Sequence, residues 1–421
     1  MKHLLFRFVA DDSRILPLRR LARVVGVLLL VALLAAREPR GDSDPGWTRH
    51  TIDRSSTGAD GVRFADCNGD RLPDIATGWE EGGVTRLYLH PGYDRVREPW
   101  PAVTAGPAGS VEDAVLVDLD GDGRMDVVSC SEGNVRSVWV HWAPTDLARI
   151  LDATAWRTEA LPASRGKMWM FALPFDVDGQ KGVDLVAGGK LAGAELGWFE
   201  SPSDARRAAD WRWHAWRPVG WLMSLIAADM DGDGDTDVVF SDRRGPRSGC
   251  FWLENPGPAR AASEAWKEHP IGGLGREVMF VTLADLDRDG LQDVIAAVRP
   301  REILFLRRLG RDGDAWEPRS IALPDQSGDA KAVSVGDVDL DGRPDLVFSC
   351  ENARPPRRGV FWVEYPKLVF HPIAAEGIKF DLVPLMDLDG DGDLDAITTE
   401  ETAGLGVVWY ENPARPRARR P

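Results

Sequence analysis

Residues Asp118 to Asp126 read DLDGDGRMD, and this pattern returns six more times along a chain of 421 residues. The other copies are DCNGDRLPD from Asp66, DVDGQKGVD from Asp176, DMDGDGDTD from Asp229, DLDRDGLQD from Asp285, DVDLDGRPD from Asp337 and DLDGDGDLD from Asp387. Successive copies start 52, 58, 53, 56, 52 and 50 residues apart. A period in that range marks tandem structural units that share one core. Positions 1, 3, 5 and 9 are Asp throughout, apart from Asn68 and Gln180. Position 7 is Leu72, Arg124, Gly182, Asp235, Leu291, Arg343 or Asp393, the indifference expected where only a backbone carbonyl is used.

Alternating side-chain oxygens with one main-chain oxygen make a hard-oxygen cage, the chemistry Ca²⁺ prefers. The candidate ligands are Asp66, Asn68, Asp70 and Asp74 in the first loop, and Asp118, Asp120, Asp122 and Asp126 in the second. Asp176, Asp178 and Asp184 serve the third loop, and Asp229, Asp231, Asp233 and Asp237 the fourth. Asp285, Asp287, Asp289 and Asp293 follow, then Asp337, Asp339, Asp341 and Asp345, then Asp387, Asp389, Asp391 and Asp395. Glycine at position 6 of five loops permits the tight turn. Up to seven structural calcium sites are expected. The third is the weakest, because Gln180 and Lys181 replace an acid and the glycine.

The flanks predict a strand on each side of every loop. Short runs such as AVLVD and SLIAAD precede the loops, and DVVSC, DVVFS and DLVFS follow them, too brief for helices and bounded by turn signals. A third strand has an aromatic signature, as in GWFESP at 197–202, FWLENP at 251–256, FWVEYP at 361–366 and VWYENP at 408–413. A fourth ends in His214, His269 or the VFHPI around His371. Four strands in about 50 residues, repeated in tandem, predict an all-β fold: a seven-bladed β-propeller of four-stranded blades. The last repeat stops after its third strand. WTRHTI, from Trp47 to Ile52, supplies the missing one, so the N-terminal strand should close the seventh blade.

Residues 47–413 therefore read as one propeller domain. Before it, residues 1–36 combine a basic stretch with the apolar run Val24–Ala36, which suits a secretory signal or an uncleaved signal anchor. Residues 37–46 are a polar leader and 414–421 a basic tail. Either reading of the leader places the domain outside the cytoplasm: secreted, periplasmic or at the cell surface, with no membrane contact beyond that segment. The formal net charge of −16 argues against nucleic-acid binding, which needs clustered positive charge. Of the four cysteines, Cys130 and Cys350 take equivalent places in distant blades, too far apart to bond. Four unpaired thiols and a monomer are expected.

The Asp-x-Asp-x-Asp-Gly-x-x-Asp loops resemble those of the FG-GAP/VCBS repeat family, whose calcium-binding propellers include the integrin alpha-chain head. The resemblance covers the chain from Trp47 onward and implies structural Ca²⁺. Literal Phe-Gly and Gly-Ala-Pro signatures are absent, so the chain departs from the integrin type. The Trp-x-Glu-Asn-Pro strand also resembles the propeller portion of aldos-2-ulose dehydratase.

Residues that repeat in every blade read as framework, including the third-strand Trp139, Trp198, Trp252, Trp362 and Trp409. Residues that differ between blades are the functional candidates, and they fall in the segments on the face opposite the acid loops. Those leading into the first strands include Glu112, Asp113, Lys167, Trp169, Trp221, Arg276, Glu277, Lys331, Lys379 and Asp381, a mixture of charge and aromatics suited to a polar ligand. Asp60 lies in the same set, and Glu80, Glu81, Glu132, Lys190, Arg243, Arg299, Glu351 and Glu401 lie in the segments joining second and third strands. No HExxH, GxSxG, Walker loop or strand-associated GxGxxG occurs. The chain is thus expected to be a non-catalytic binding module for a glycan or a protein. The alternative is a carbohydrate-active lyase or dehydratase using a Lys, Arg or acid of the variable face.

Overall fold

The computed structural model describes residues 46–180 and 182–414. The expected signal or anchor segment, the leader up to residue 45 and the tail from residue 415 lie outside the described residues. Seven four-stranded antiparallel sheets follow one another along the chain; six are made of the strands before and after one acid loop plus the next two, and the seventh takes its fourth strand from the N-terminus. Blade 2 is representative, with strands Val111–Val117, Asp126–Ser131, Ser137–Trp142 and Arg157–Ala160. First strands of neighbouring blades touch one another from blade 1 through blade 7, and the first strand of blade 1 meets the second strand of blade 7, Asp395–Glu400, which makes the first strands the innermost. Among the described residues no helix is long and apolar enough to cross a membrane.

Burial explains why the second strands are the easiest to read. Asp74–Trp79, Asp126–Ser131, Asp184–Lys190, Asp237–Asp242, Asp293–Val298, Asp345–Glu351 and Asp395–Glu400 are buried at every position. A strand covered on both faces by adjacent blades needs a continuous apolar run. Outer strands behave oppositely: Trp316–Ala322 buries only Ile321.

Closure of the ring follows the expected route. Thr48–Asp53 pairs with Gly406–Glu411, bringing His50 opposite Trp409 and Thr48 opposite Glu411. Arg97 of blade 1 then bridges to Asp389 and Glu411 of blade 7.

The recurring histidines have a packing role. His50, His214, His269 and His371 pair across strands with Trp409, Trp198, Trp252 and Trp362, with ring centroids 4.0–4.7 Å apart. Each Nε2 also meets the glutamate two residues beyond its tryptophan: Glu411, Glu200, Glu254 or Glu364. Trp-x-Glu in one strand and His in the next therefore form a clasp that fastens the outer strand. All four cysteines are buried and unbonded, as their spacing required.

A feature not anticipated lies near the start of the first strands. Six of them break register with their partner there. The residue squeezed out is Glu112 between Val111 and Asp113 in blade 2, and Lys331 between Ala330 and Ala332 in blade 6. The same place holds Met170 in blade 3 and Met223 in blade 4. Such β-bulges re-aim a side chain, and here they recur where the strands converge on the axis.

Candidate functional site

Two ends of the ring differ in kind. At one end lie the acid loops. Their position 9 Asp is a strut in all seven blades: one oxygen accepts the backbone N–H of position 2, the other an N–H at or just beyond the end of the third strand. Asp126 does this with Leu119 at 3.2 Å and Ala143 at 2.7 Å; Asp237 does it with Met230 at 2.7 Å and Asn255 at 2.8 Å. Asp74, Asp184, Asp293, Asp345 and Asp395 repeat the pattern. Burial pushes these carboxyls up against the pull of the donated N–H groups, to about 7 at Asp126 and Asp237 and about 8 at Asp395.

Positions 1, 3 and 5 gather into an oxygen cluster. Ligand oxygens of Asp118, Asp120 and Asp122, and of Asp229, Asp231 and Asp233, lie within 4.8 Å of one another; in the third loop Asp176, Asp178 and Asp184 do so. Position 1 accepts the N–H of position 6, as from Gly123 to Asp118 at 2.9 Å and from Gly342 to Asp337 at 2.9 Å. Position 6 is left-handed, with φ of 81° at Gly123 and 94° at Gly234; in the first loop Arg71 adopts φ 67° instead. Asp118 Oδ1 and Asp337 Oδ1 are buried with no hydrogen-bond partner, so the donor set fits a hard cation. Arginines also reach these acids: Arg206 meets Asp120 and Asp122, Arg307 meets Asp287 and Asp289, Arg343 meets Asp341 and Arg97 meets Asp389.

The opposite end carries the blade-specific residues, and several of the expected ones converge there. Lys190 pairs with Glu112 at 3.0 Å and also with Glu132. Glu277 takes Arg243 at 2.7 Å, and Arg299 takes Glu351 and Asp329, each at 2.9 Å. Lys379 pairs with Glu401. Trp221, half-buried, has Lys190, Arg243 and Arg244 4.5–4.8 Å from its ring centre.

Lys331 is buried and stands 4.0 Å from Asp381, too far for a hydrogen bond. Asp381 Oδ1 has no hydrogen-bond partner. Burial lowers the Lys331 ammonium from its ordinary value, and burial together with Glu401 raises Asp381 to about 8. Burial, Glu112 and Glu401 likewise push Glu80 up to about 8.

Other expected residues lie elsewhere. Trp169 is fully buried against Phe199 and Trp213, its Nε1 donating to the Ser164 carbonyl at 2.6 Å. Asp113 is enclosed by the Arg63 guanidinium at 2.9 Å. Lys167 turns to Glu195 and the rings of Trp169 and Trp213, and Arg276 to Glu302. These four belong to blade packing and blade-edge pairing. The bulges, which bring Glu112 and Lys331 inward, have no signature in a single blade and show only when first strands are compared.

The ring of four-stranded blades makes this protein a β-propeller. The FG-GAP-like repeat model matches residues 66–129 and 285–348, each match beginning at an acid loop. The chain is thus a seven-bladed propeller that carries FG-GAP-like repeats. A solved structure of BBS1N in complex with ARL6DN shares the fold, at 9% identity and a TM-score of 0.50 over 88% of this chain and 98% of that one. Sqt1 of Saccharomyces cerevisiae aligns at 11% identity with a TM-score of 0.49, covering 85% of each chain. No curated protein matches the chain.

Proposed function

We propose that the chain is an exported, calcium-stabilised interaction module whose variable face receives a protein partner. The observation that carries this reading is the division of labour between the two ends. Residues common to every blade make the loops at one end; charges that differ from blade to blade converge at the other. Alternating ion pairs such as Arg243–Glu277 and Arg299–Glu351 give a patterned field that favours one orientation of a charged partner. The fold neighbour BBS1N is itself a partner-bound propeller.

A glycan is less well served by this face. Sugar binding uses an open aromatic platform, yet Trp169 is buried and Trp221 already has three cations against its ring. The calcium proposal rests on the oxygen clusters and on the orphaned oxygens of Asp118 and Asp337. In loops where an arginine meets the acids, calcium entry displaces that arginine. Export accords with such sites, since extracellular modules bind calcium with Kd of about 10⁻⁴–10⁻³ M.

Charge reversal tests the face. Glu277→Arg with Glu351→Arg should weaken a purified protein partner at least tenfold, while Arg343→Glu at the loop end should not. A partner indifferent to the first pair, or sensitive to both changes alike, contradicts the assignment. One observation favours a catalytic second reading: Lys331 and Asp381 face each other at 4.0 Å, and burial lowers the ammonium and raises the carboxyl, which brings both toward the range where general acids and bases work. Formation of unsaturated products from uronate polysaccharides, lost in Lys331→Met, would establish it over the binding reading.

A further inference from the structure

We propose that Asp60, Glu80 and Glu112 form a divalent-cation site at the variable end of the axis, separate from the seven acid loops. Asp60 lies near the start of the first strand of blade 1, Ala59–Ala65, opposite Gly78 of the second strand. The acid loop begins at the far end of that strand, at Asp66. Glu80 follows the second strand directly, and Glu112 is the bulge residue of blade 2. One carboxylate oxygen of each lies within 4.8 Å of the others. Oxygens so spaced can share one ion at about 2.3–2.6 Å. Glu80 also belongs to a second triple with Glu81 and Glu401.

Clustering alone would not make a site, since acids gather on many surfaces. The independent observation is Asp60. It is 4% exposed, it points into the cluster, and no hydrogen bond or ion pair joins its carboxylate to any described residue. A carboxylate taken out of water without a donor or counter-charge is costly, and such groups are normally paired or metal-bound. Lys190 is engaged by Glu112 and Glu132, and Lys379 by Glu401, with Glu80 also in the field of Lys379. Lys331 stands 4.0 Å from Asp381. No ion pair reaches Asp60 among the described residues. The donors are carboxylates only, which selects a hard ion of the calcium, magnesium or manganese class over zinc or copper.

Mn²⁺ is the probe, used on the full chain stripped of metal with a chelator. Equilibrium dialysis should show one Mn²⁺ fewer per chain in Asp60→Asn and in Glu80→Gln than in the wild type. Asp231→Asn, in a loop, should leave this site filled. Crystals soaked in Mn²⁺ should give an anomalous peak between the three carboxylates, a readout that stands even where a variant fails to fold. Unchanged stoichiometry in both folded variants, or anomalous scattering confined to the loops, overturns the site. So does an amine or a lysine side chain found there in place of the metal. The outcome is independent of calcium at the loops, because the two ends are read separately.

Discussion

The position 9 aspartate does two jobs that its place in the motif does not separate. It reads as a cation ligand, yet in every blade it also ties the loop to the end of the third strand through two backbone N–H groups. Those bonds are made between protein groups alone and need no cation. In chelator, Asp126→Asn should therefore cost about 1–3 kcal/mol in denaturant unfolding, since an amide nitrogen would face an N–H donor. Asp231→Asn, which breaks no ion pair, should cost less there and become strongly destabilising only with calcium. Equal effects in chelator would show that position 9 is no strut. His141 offers a second residue-scale test. It is buried between Ser129 Oγ at 2.9 Å and Thr158 Oγ1 at 2.8 Å, and burial depresses it to about 3. The unfolded chain takes up a proton near pH 6.5 while the folded one does not. The neutral-imidazole contribution is complete above that pH and falls by roughly 1.4 kcal/mol per pH unit as pH drops toward the folded value. Comparing stability at pH 7 and pH 5 for wild type and His141→Gln measures it; an unchanged slope in the variant contradicts the assignment. Gly106 is held to glycine by the same pair, because a Cβ there would lie 1.8 Å from Thr158 Oγ1.

Elements differ in how openly the chain announces them, and burial is the reason. Second strands such as Asp293–Val298 are enclosed on both sides and had to be apolar runs, so they were legible. The loops were legible because the position 9 strut and the left-handed turn at position 6 both constrain residue type. The outer strands were legible only through the clasp residues. First strands were read as strands, but not their bulges: a register shift leaves no composition signal, and Glu112 and Lys331 looked like ordinary loop-edge charges. Trp169 was misplaced for a related reason, since an aromatic at a strand start reads the same whether it faces the axis or the space between blades. The clasp gives a prediction at this scale. His269→Ala removes a stack on Trp252 and contacts to Glu254 and Asp314, and should lower stability by about 1–2 kcal/mol. Thermal unfolding with no loss of melting temperature would make the clasp a coincidence of register.

At the scale of the whole molecule, a ring has no free sheet edge only while its last blade is complete. Thr48–Asp53 supplies that edge, so a chain beginning at Arg54 should expose Gly406–Glu411 and associate through it. Sedimentation showing a monomer as stable as the full protein would contradict this. The acidity belongs to the same scale. The net charge of −16 goes with acids gathered in seven loops, and on the calcium proposal an ion bound at any of them would stabilise the ring as a unit. At a tenfold excess over Kd, one site adds about 1.4 kcal/mol. Several together should raise the melting temperature by on the order of 10 °C. Calorimetry of the full chain in chelator and in saturating calcium tests the central claim most directly. The account predicts a large upward shift with calcium, and identical melting temperatures in the two conditions would contradict it.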